Sequence, residues 1–246
     1  MIKRLKDVDI NYLYNDNNKK DTLVFLHGWG QNIQMMMPIA EPFNKECNIL
    51  VVDLPGYGQS SEPTSIWTVY DYAECINELV HELKIKNPIL IGHSFGGKIS
   101  LVYASKYKTK KLVLFGSPYC KEIQKLSLKT KVLKQLKKVP GLKKLEGFAK
   151  KHIGSEDYRK ASPMMRDILV NTVNLDITED VKEIKCPTLI VWGEYDEAVP
   201  LSRAYELEKL IDNAGVVVYE GCTHYAYLEN LGQTINVLRS FFGSED

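Results

Sequence analysis

Three short apolar segments of the sequence are each followed by a side chain suited to nucleophilic catalysis. Ser94 follows the first segment, Asp196 the second and His224 the third. A serine hydroxyl attacks a carbonyl carbon once a histidine removes its proton, and a carboxylate holds that histidine in the required tautomer. An unperturbed histidine has a pKa of about 6.5, so its ring accepts and returns a proton near neutral pH. The three residues are candidates for nucleophile, orienting acid and base.

Ser94 lies in Gly92-His93-Ser94-Phe95-Gly96, which matches the pattern G-x-S-x-G. An apolar strand before the pattern and a helix after it are the context of a nucleophile elbow, a turn that strains the serine backbone. The alternative is a glycine-rich turn that only joins a strand to a helix. A third interpretation, a phosphate-binding loop ending in Gly97-Lys98, lacks its metal ligand because Ile99 replaces the required Ser or Thr.

A second motif, His27-Gly28-Trp29-Gly30, ends another apolar segment. Acyl transfer passes through a tetrahedral oxyanion that two backbone N–H groups stabilise. We expect these donors to be Phe95, directly after the serine, and Trp29. We place His27, Met35 and Met36 at the substrate pocket, because methionine adapts to varied acyl shapes. The alternatives are a buried, hydrogen-bonded histidine and ordinary core packing of the methionines.

The acid and the base follow two later apolar segments. Asp196 follows Trp192-Gly193, and a carboxylate there can accept the Nδ1–H of a histidine. Glu194 and Glu197 are local competitors, whose alternative role is solvated loop charge. His224 begins the last helical segment, and the order Ser, Asp, His is typical of one hydrolase architecture.

Short strands that alternate with amphipathic helices predict an α/β fold with a mostly parallel, twisted sheet flanked by helices. The predicted strands are Asp9–Tyr14, Thr22–Leu26, Asn48–Val52, Pro88–Ile91, Lys111–Phe115, Thr188–Trp192 and Val216–Tyr219. The predicted helices of this pattern are Val69–Leu83, Gly97–Lys106, Leu201–Ile211 and Tyr225–Phe242.

The strand pattern stops between residues 117 and 183, where only helices are predicted. One has an apolar stripe formed by Leu128, Val132, Leu136 and Val139, and another covers Met164–Val173 after an N-cap at Ser162. We therefore expect a helical cap at 117–183, inserted late in the sheet of a core formed by 1–116 and 184–246.

Composition indicates which partners and which cellular location to expect. The 246 residues carry 32 Lys and Arg against 31 Asp and Glu, so no excess charge points to nucleic acid. No apolar stretch approaches the roughly 18 residues of a membrane span, and the N-terminal residues lack a signal-peptide pattern. The five cysteines are odd in number and lack CxxC spacing, which favours free thiols and a cytoplasmic location.

These motifs together resemble the cap-bearing serine members of the α/β-hydrolase fold family, of carboxylesterase type. The matching segments are His27-Gly28-Trp29-Gly30, Asp53 to Ser60, Gly92 to Gly97, Trp192 to Asp196 and Gly221 to His224. The resemblance covers nearly the whole chain except the cap. It implies a site under the cap, at the carboxyl edge of the sheet, without metal or organic cofactor.

The same resemblance leaves the reaction open among the serine members. Ester hydrolysis of a small molecule with an apolar acyl part is our first expectation. Carbon–carbon bond hydrolysis, thioester hydrolysis and perhydrolysis on the same residues are alternatives, as is a non-catalytic ligand-binding protein. Lysines dominate residues 121–151, which indicates either a solvated surface, an electrostatic funnel for anionic substrates or weak contact with anionic surfaces.

Overall fold

An eight-stranded sheet runs through residues 1–121 and 161–243, the parts of the chain that the computed structural model describes. The strands are β1 (Ile2–Leu5), β2 (Val8–Asn15), β3 (Thr22–Leu26), β4 (Asn48–Val52), β5 (Ile89–His93), β6 (Lys111–Phe115), β7 (Thr188–Gly193) and β8 (Ala214–Tyr219). Their order across the sheet is β1-β2-β4-β3-β5-β6-β7-β8. The β1–β2 and β2–β4 pairs are antiparallel, and every later pair in this order is parallel.

The central strands confirm the sequence prediction closely. The bounds of β3, β4 and β6 coincide with the predicted residues, because all five side chains of each strand are buried and apolar runs mark them. β1 was not predicted. It is an edge strand in which Ile2 is exposed and only Leu5 is buried, so no apolar run marks it.

Helices cover both faces of the sheet. The helices of the described residues are α1 (Met37–Ala40), α2 (Val69–Glu82), α3 (Phe95–Lys106), α4 (Pro163–Asn174), α5 (Thr178–Lys182), α6 (Ser202–Leu210), α7 (Ala226–Glu229) and α8 (Leu231–Gly243). Side chains of β3 alternate between the two faces, with Val24 and Leu26 facing α2 and α3, and Leu23 and Phe25 facing α1 and α8. This arrangement confirms the predicted α/β class.

The C-terminal segment differs from its prediction. A single helix was expected over Tyr225–Phe242, but Asn230 (φ −122°, ψ 56°) separates α7 from α8. None of the helices in the described ranges is long and apolar enough to cross a membrane.

Helix α4 confirms the helix predicted after Ser162. The Ser162 hydroxyl accepts the backbone N–H of Met165, and Pro163 occupies the first turn. At its other end the buried Lys98 ammonium donates to the carbonyls of Thr172 and Leu175. Lys98 therefore anchors α4 to α3. This contact argues against a phosphate-binding loop, whose lysine would face a nucleotide.

The division into core and cap stays a prediction. Residues 122–160 lie outside the described residues, and so does the predicted stripe from Leu128 to Val139. Of residues 117–183, the described part includes Ile177 and Val181, which pack into the same core cluster as α3 and α6.

Candidate active site

Ser94 occupies a strained turn between β5 and α3. Its backbone has φ 50° and ψ −111°, a positive-φ conformation that L-residues rarely adopt and that costs roughly 1–3 kcal/mol. Its N–H donates to the carbonyl of Phe115 on the neighbouring strand at 2.9 Å. A Cβ at Gly92 would lie 2.6 Å from the Gly96 oxygen, and one at Gly96 would lie 2.2 Å from the Leu26 oxygen. Only glycine fits at both positions, so the turn has the geometry predicted for a nucleophile elbow.

Asp196 and His224 form a hydrogen-bonded pair. The His224 Nδ1–H donates to Asp196 Oδ2 at 2.8 Å, and the carboxylate side chain is fully buried. Asp196 Oδ1 accepts the backbone N–H groups of Ala198 and Val199 at 2.9 and 2.8 Å, which fixes the carboxylate orientation. Because Nδ1 carries the proton, Nε2 is the basic nitrogen of the ring.

The two competing carboxylates of this loop face elsewhere. Glu194 is exposed and its Oε2 accepts the Gly221 N–H at 3.0 Å. Glu197 is also exposed. Of the three acidic residues, Asp196 is the one that the structure pairs with His224.

The loop that carries His224 is held against the end of β7. The Tyr195 N–H donates to the Cys222 carbonyl at 2.8 Å, and a Cβ at Gly193 would lie 2.1 Å from the Thr223 oxygen. The Glu229 carboxylate accepts the Thr223 N–H at 2.6 Å. These contacts fix the backbone on both sides of the Asp196–His224 pair.

Gly116 connects this pair to the serine turn, and the sequence prediction missed it. It follows Phe115, the acceptor for the Ser94 N–H, and has φ 50°. A Cβ there would lie 2.9 Å from His224 Nδ1 and 3.0 Å from Asp196 Oδ2. The Ser94 hydroxyl makes no hydrogen bond to His224 within the described residues.

A tight turn from Gly28 to Gln31 follows β3. The Gln31 N–H donates to the Gly28 carbonyl at 3.3 Å, and Gly30 adopts φ 71°. The Gln31 side-chain Oε1 accepts the Gly28 N–H at 2.9 Å. The backbone N–H groups of Trp29 and Phe95, the expected oxyanion donors, have no acceptor among the described residues. The two rings are in edge contact, with centroids 5.2 Å apart.

His27 lies beneath this turn rather than at a substrate surface. Its Nδ1 is 2.7 Å from the Gly28 carbonyl, and its Nε2 accepts the Leu54 N–H at 3.0 Å. Burial lowers the pKa of His27 to about 4, so the ring is neutral at neutral pH. Both ring nitrogens are bound to backbone groups, which matches the alternative of a buried, hydrogen-bonded histidine. The structure therefore offers no ring nitrogen of His27 to a substrate.

Met35 and Met36 differ in how deeply they are buried. Met36 is fully buried in the core cluster on the α1 and α8 face of the sheet, which corresponds to ordinary core packing. Met35 is half-buried, and its carbonyl oxygen lies 3.5 Å from the Tyr227 hydroxyl. Direct contact of Met36 with a substrate would require the core to open.

Asp53 is a second residue whose role the sequence did not reveal. Its Oδ1 accepts the Ile33 N–H at 2.8 Å, whereas Oδ2 accepts from Asn11 Nδ2 at 2.8 Å and from the Gln59 N–H at 2.9 Å. One buried carboxylate therefore joins β2, the segment after the Gly28–Gln31 turn and the loop from Gly56 to Ser60. The available signal was its position directly after β4.

His93 lies between the two sides of the site. It is fully buried, and its Nε2–H donates to the His224 carbonyl at 3.1 Å while Nδ1 lies 3.3 Å from Gln31 Oε1. The His93 and His224 rings lie 4.8 Å apart between centroids. Burial lowers the pKa of His93 to about 3, so this ring is also neutral.

The wall beside the serine turn is aromatic and apolar. The Trp29 ring lies 5.2 Å from that of Tyr57, in edge contact, as it does with Phe95. Met165 of α4 covers Gly56, where a Cβ would lie 2.5 Å from its sulfur. This side of the site therefore favours an apolar group.

Metal-ligating side chains do not cluster in the described residues, where no group of three or more His, Cys, Asp or Glu has the geometry to hold an ion. All five cysteines lie in the described residues, and none of them is joined to another in a disulfide. Burial raises the pKa of Cys47 and Cys186 to about 11 each, so both stay protonated and unreactive near neutral pH.

Comparison with known proteins gives the family. The model of the family described as "alpha/beta hydrolase fold" matches residues 21–144 and 125–231. The chain therefore belongs to the α/β-hydrolase fold family and is a hydrolase by that membership.

Two curated relatives and one solved structure illustrate the range of activities named for proteins similar to this chain. The chain is 28% identical to "Proline iminopeptidase" of Saccharolobus solfataricus, over 97% of this chain and 90% of that protein. It is 25% identical to "Pimeloyl-[acyl-carrier protein] methyl ester esterase" of Aliivibrio fischeri, over 89% and 92% respectively. The structure of a bacterial "membrane phospholipase A" aligns with TM-score 0.79 and 23% identity, over 98% of this chain and 84% of that chain, and shows the shared fold. Other relatives are named as lipases and as a dienedioate hydrolase.

Proposed function

We propose that the protein is a serine hydrolase that cleaves carboxylic esters of small molecules through an acyl-enzyme on Ser94. The observation that carries this proposal is the Asp196–His224 pair, joined at 2.8 Å with its carboxylate buried, at the same edge of the sheet as a serine held at φ 50°. A strained serine at the start of a helix, together with an oriented histidine, is the arrangement that acyl transfer requires.

In the proposed first step, His224 Nε2 removes the Ser94 proton as the serine oxygen bonds to the ester carbonyl carbon. The carbonyl oxygen becomes an oxyanion, which the N–H groups of Trp29 and Phe95 stabilise. When the tetrahedral intermediate collapses, the carbon–oxygen bond to the alcohol breaks and His224 returns its proton to the leaving alcohol.

In the second step a water molecule gives a proton to His224 and attacks the acyl carbon. The acid leaves, and the proton returns to the Ser94 oxygen. Asp196 stays ionised throughout and stabilises the imidazolium that forms in each step. No step of this reaction consumes a metal or an organic cofactor.

The expected substrate carries an apolar acyl or alcohol group. Trp29, Tyr57 and Phe95 form the described wall near the serine turn, and Met165 extends it toward α4. Burial of one methylene against such a wall contributes about 0.8 kcal/mol. We also propose that residues 117–183 form a cap over this wall. The positive charge of the lysines in this segment should attract anionic substrates. The cytoplasmic location stays a prediction.

The test is hydrolysis of p-nitrophenyl esters from acetate to decanoate by the wild type, Ser94→Ala and Asp196→Asn. We expect Ser94→Ala to lower kcat by more than about 10⁴-fold. Asp196→Asn should lower it by about 10³–10⁴-fold because it favours the wrong tautomer of His224. Ser105→Ala, on the helix that follows the nucleophile, is the matched control and should leave kcat unchanged.

Two further substrates in parallel separate the alternatives. A prolyl p-nitroanilide reports peptidase activity, and a dienoic keto acid reports carbon–carbon cleavage. Turnover of either one faster than every ester, with the same dependence on Ser94, would replace ester hydrolysis as the function. Equal activity of the wild type and Ser94→Ala on all substrates would refute the serine mechanism.

A further inference from the structure

The carbonyl of Gly28 accepts two hydrogen bonds from within its own loop. His27 Nδ1 lies 2.7 Å from this oxygen, and the Gln31 N–H lies 3.3 Å from it. The shorter contact comes from a ring that is completely buried, so water does not compete for it. The orientation of the Gly28–Trp29 peptide therefore depends mainly on the His27 side chain.

The tautomer of His27 follows from its second contact. The Leu54 N–H is a donor, so the Nε2 atom that it faces at 3.0 Å must carry a lone pair and no proton. A neutral imidazole has one N–H, which is then on Nδ1 and points to the Gly28 carbonyl. Because Leu54 follows Asp53 directly, the end of β4 fixes both this ring and, through Asp53, the Ile33 N–H.

The peptide geometry transfers this constraint to Trp29. The described chain contains no cis peptide bond, and in a planar trans peptide the C=O and the N–H point in opposite directions. With the Gly28 oxygen drawn toward the His27 ring, the Trp29 N–H is directed away from that ring and finds no acceptor among the described residues. A rotated peptide would instead turn the Gly28 oxygen away from its donors.

We propose that His27 is a positioning residue that locks the Gly28–Trp29 peptide with the Trp29 N–H directed at the oxyanion. This inference rests on the proposed function, since it assigns that N–H a part in ester hydrolysis. It accounts for a buried polar ring next to the site that touches no substrate. It also predicts that the two ring nitrogens have separable effects. Loss of the Nδ1 contact with the Gly28 carbonyl should lower activity, whereas loss of the Nε2 contact with the Leu54 N–H should lower stability.

Two amide substitutions separate these effects. In His27→Asn the side-chain NH₂ lies near the former Nδ1 and can still donate to the Gly28 carbonyl, but the buried Leu54 N–H loses its acceptor. In His27→Gln the side-chain oxygen lies near the former Nε2 and can still accept from Leu54, but the Gly28 carbonyl loses its short contact. His27→Asn should therefore be the less stable variant and the more active one per folded molecule.

We expect substitutions of His27 to change kcat, because the oxyanion forms only on the way to the tetrahedral intermediate. Complete loss of an oxyanion donor costs about 10²–10³-fold in kcat, and a donor that remains but is no longer locked should cost less. We expect His27→Gln to lower kcat for p-nitrophenyl butyrate by about 10–100-fold with little change in KM. Binding of butylboronic acid, which forms a tetrahedral adduct with the serine, should weaken in proportion, whereas inhibition by butyrate should not change.

His27→Asn, assayed at a temperature where urea titration shows it to be folded, should keep kcat within about threefold of the wild type. Three results would overturn the inference: His27→Gln as active as the wild type, activity that follows stability in both variants, or a loss confined to KM.

An independent readout separates this inference from the proposed function. The ¹⁵N chemical shifts of His27 in the wild type report the tautomer without any turnover. Protonated Nδ1 and unprotonated Nε2 are expected. The opposite tautomer in an enzyme that hydrolyses esters would refute the role of His27 alone. The expected tautomer, with esters hydrolysed equally by the wild type and Ser94→Ala, would refute the proposed function and the catalytic role of His27 with it.

Discussion

Replacing Gly116 with alanine adds one methyl group beside the Asp196–His224 pair. In the present backbone this carbon would lie 2.9 Å from His224 Nδ1 and 3.0 Å from Asp196 Oδ2, the two atoms that share the 2.8 Å hydrogen bond. Both contacts are shorter than ordinary van der Waals separations. The pair must therefore move by a few tenths of an ångström, or the hydrogen bond must lengthen.

The size of the effect has two parts. Alanine at φ 50° costs roughly 1–2 kcal/mol of stability whatever surrounds it. The displaced histidine affects the rate, since misplacement of a catalytic group by about 1 Å costs on the order of 10²-fold. We expect Gly116→Ala to lower kcat by about 10–100-fold and to reduce the free energy of unfolding by about 1–3 kcal/mol.

Two other glycines are matched controls. Gly221 has φ 69° but open space around its Cβ position, so Gly221→Ala has the backbone strain without the contact. Gly215→Ala has neither. Urea unfolding should show that Gly221→Ala is about 1 kcal/mol less stable than the wild type, and kinetics on p-nitrophenyl butyrate should show that its kcat is nearly unchanged. Gly215→Ala should be close to the wild type in both stability and kcat. If Gly116→Ala were as active as Gly221→Ala, the Asp196–His224 pair would not be the working pair.

The remaining predictions concern stability. His27 and His93 have pKa values lowered to about 4 and about 3, whereas the unfolded chain takes up these protons below about pH 6.5. Their contribution is therefore present above pH 6.5 and decreases as the pH falls, by about 2 kcal/mol each between pH 7 and pH 5. Urea unfolding at both pH values measures this loss, and His27→Gln should remove about half of it; an unchanged slope would contradict the prediction. Lys98→Met removes both hydrogen bonds to the end of α4 and should cost about 2 kcal/mol in the same assay, whereas the exposed Lys108→Met should cost less than about 0.5 kcal/mol. Equal stability of these two variants would show that the α4 anchor contributes nothing.

The sequence predicted those parts of the fold whose signal is local. An uninterrupted apolar run marks a strand covered on both faces, so β3, β4 and β6 were predicted to the residue. The edge strand β1 has no such run, and Asn230, where the last helical segment breaks, is neither a proline nor a glycine. Boundaries of this kind are decided by tertiary contacts.

In the candidate site, too, some residues were predictable from local sequence and others were not. Ser94, Asp196 and His224 were identified because each residue follows a strand, and parallel strands bring their carboxyl ends to one edge of the sheet. The structure pairs Asp196 with His224, while the participation of all three in catalysis remains the proposal. The role of Gly116 was invisible in sequence, because it depends on a distance to two side chains about 80 and 108 positions further along the chain.

His27 shows why a residue type alone does not give a role. Its place in the motif suggested contact with a substrate. Its partner, the Leu54 N–H, is 27 residues away in a second motif, and neither motif shows that the two residues meet. The turn over Ile33–Met35 likewise decides which face of the sheet Met36 reaches, and no motif in the sequence specifies that turn.

The Asp53 carboxylate also has a dynamic consequence. It binds the Ile33 N–H and the Gln59 N–H at once, so a fluctuation that opens either segment leaves a buried charge with one donor fewer. Losing such a donor costs about 1–3 kcal/mol, and this cost opposes the independent opening of each segment. Opening both segments admits water, which solvates the carboxylate in place of both donors, so the segments around residues 33 and 59 should open together in one cooperative event.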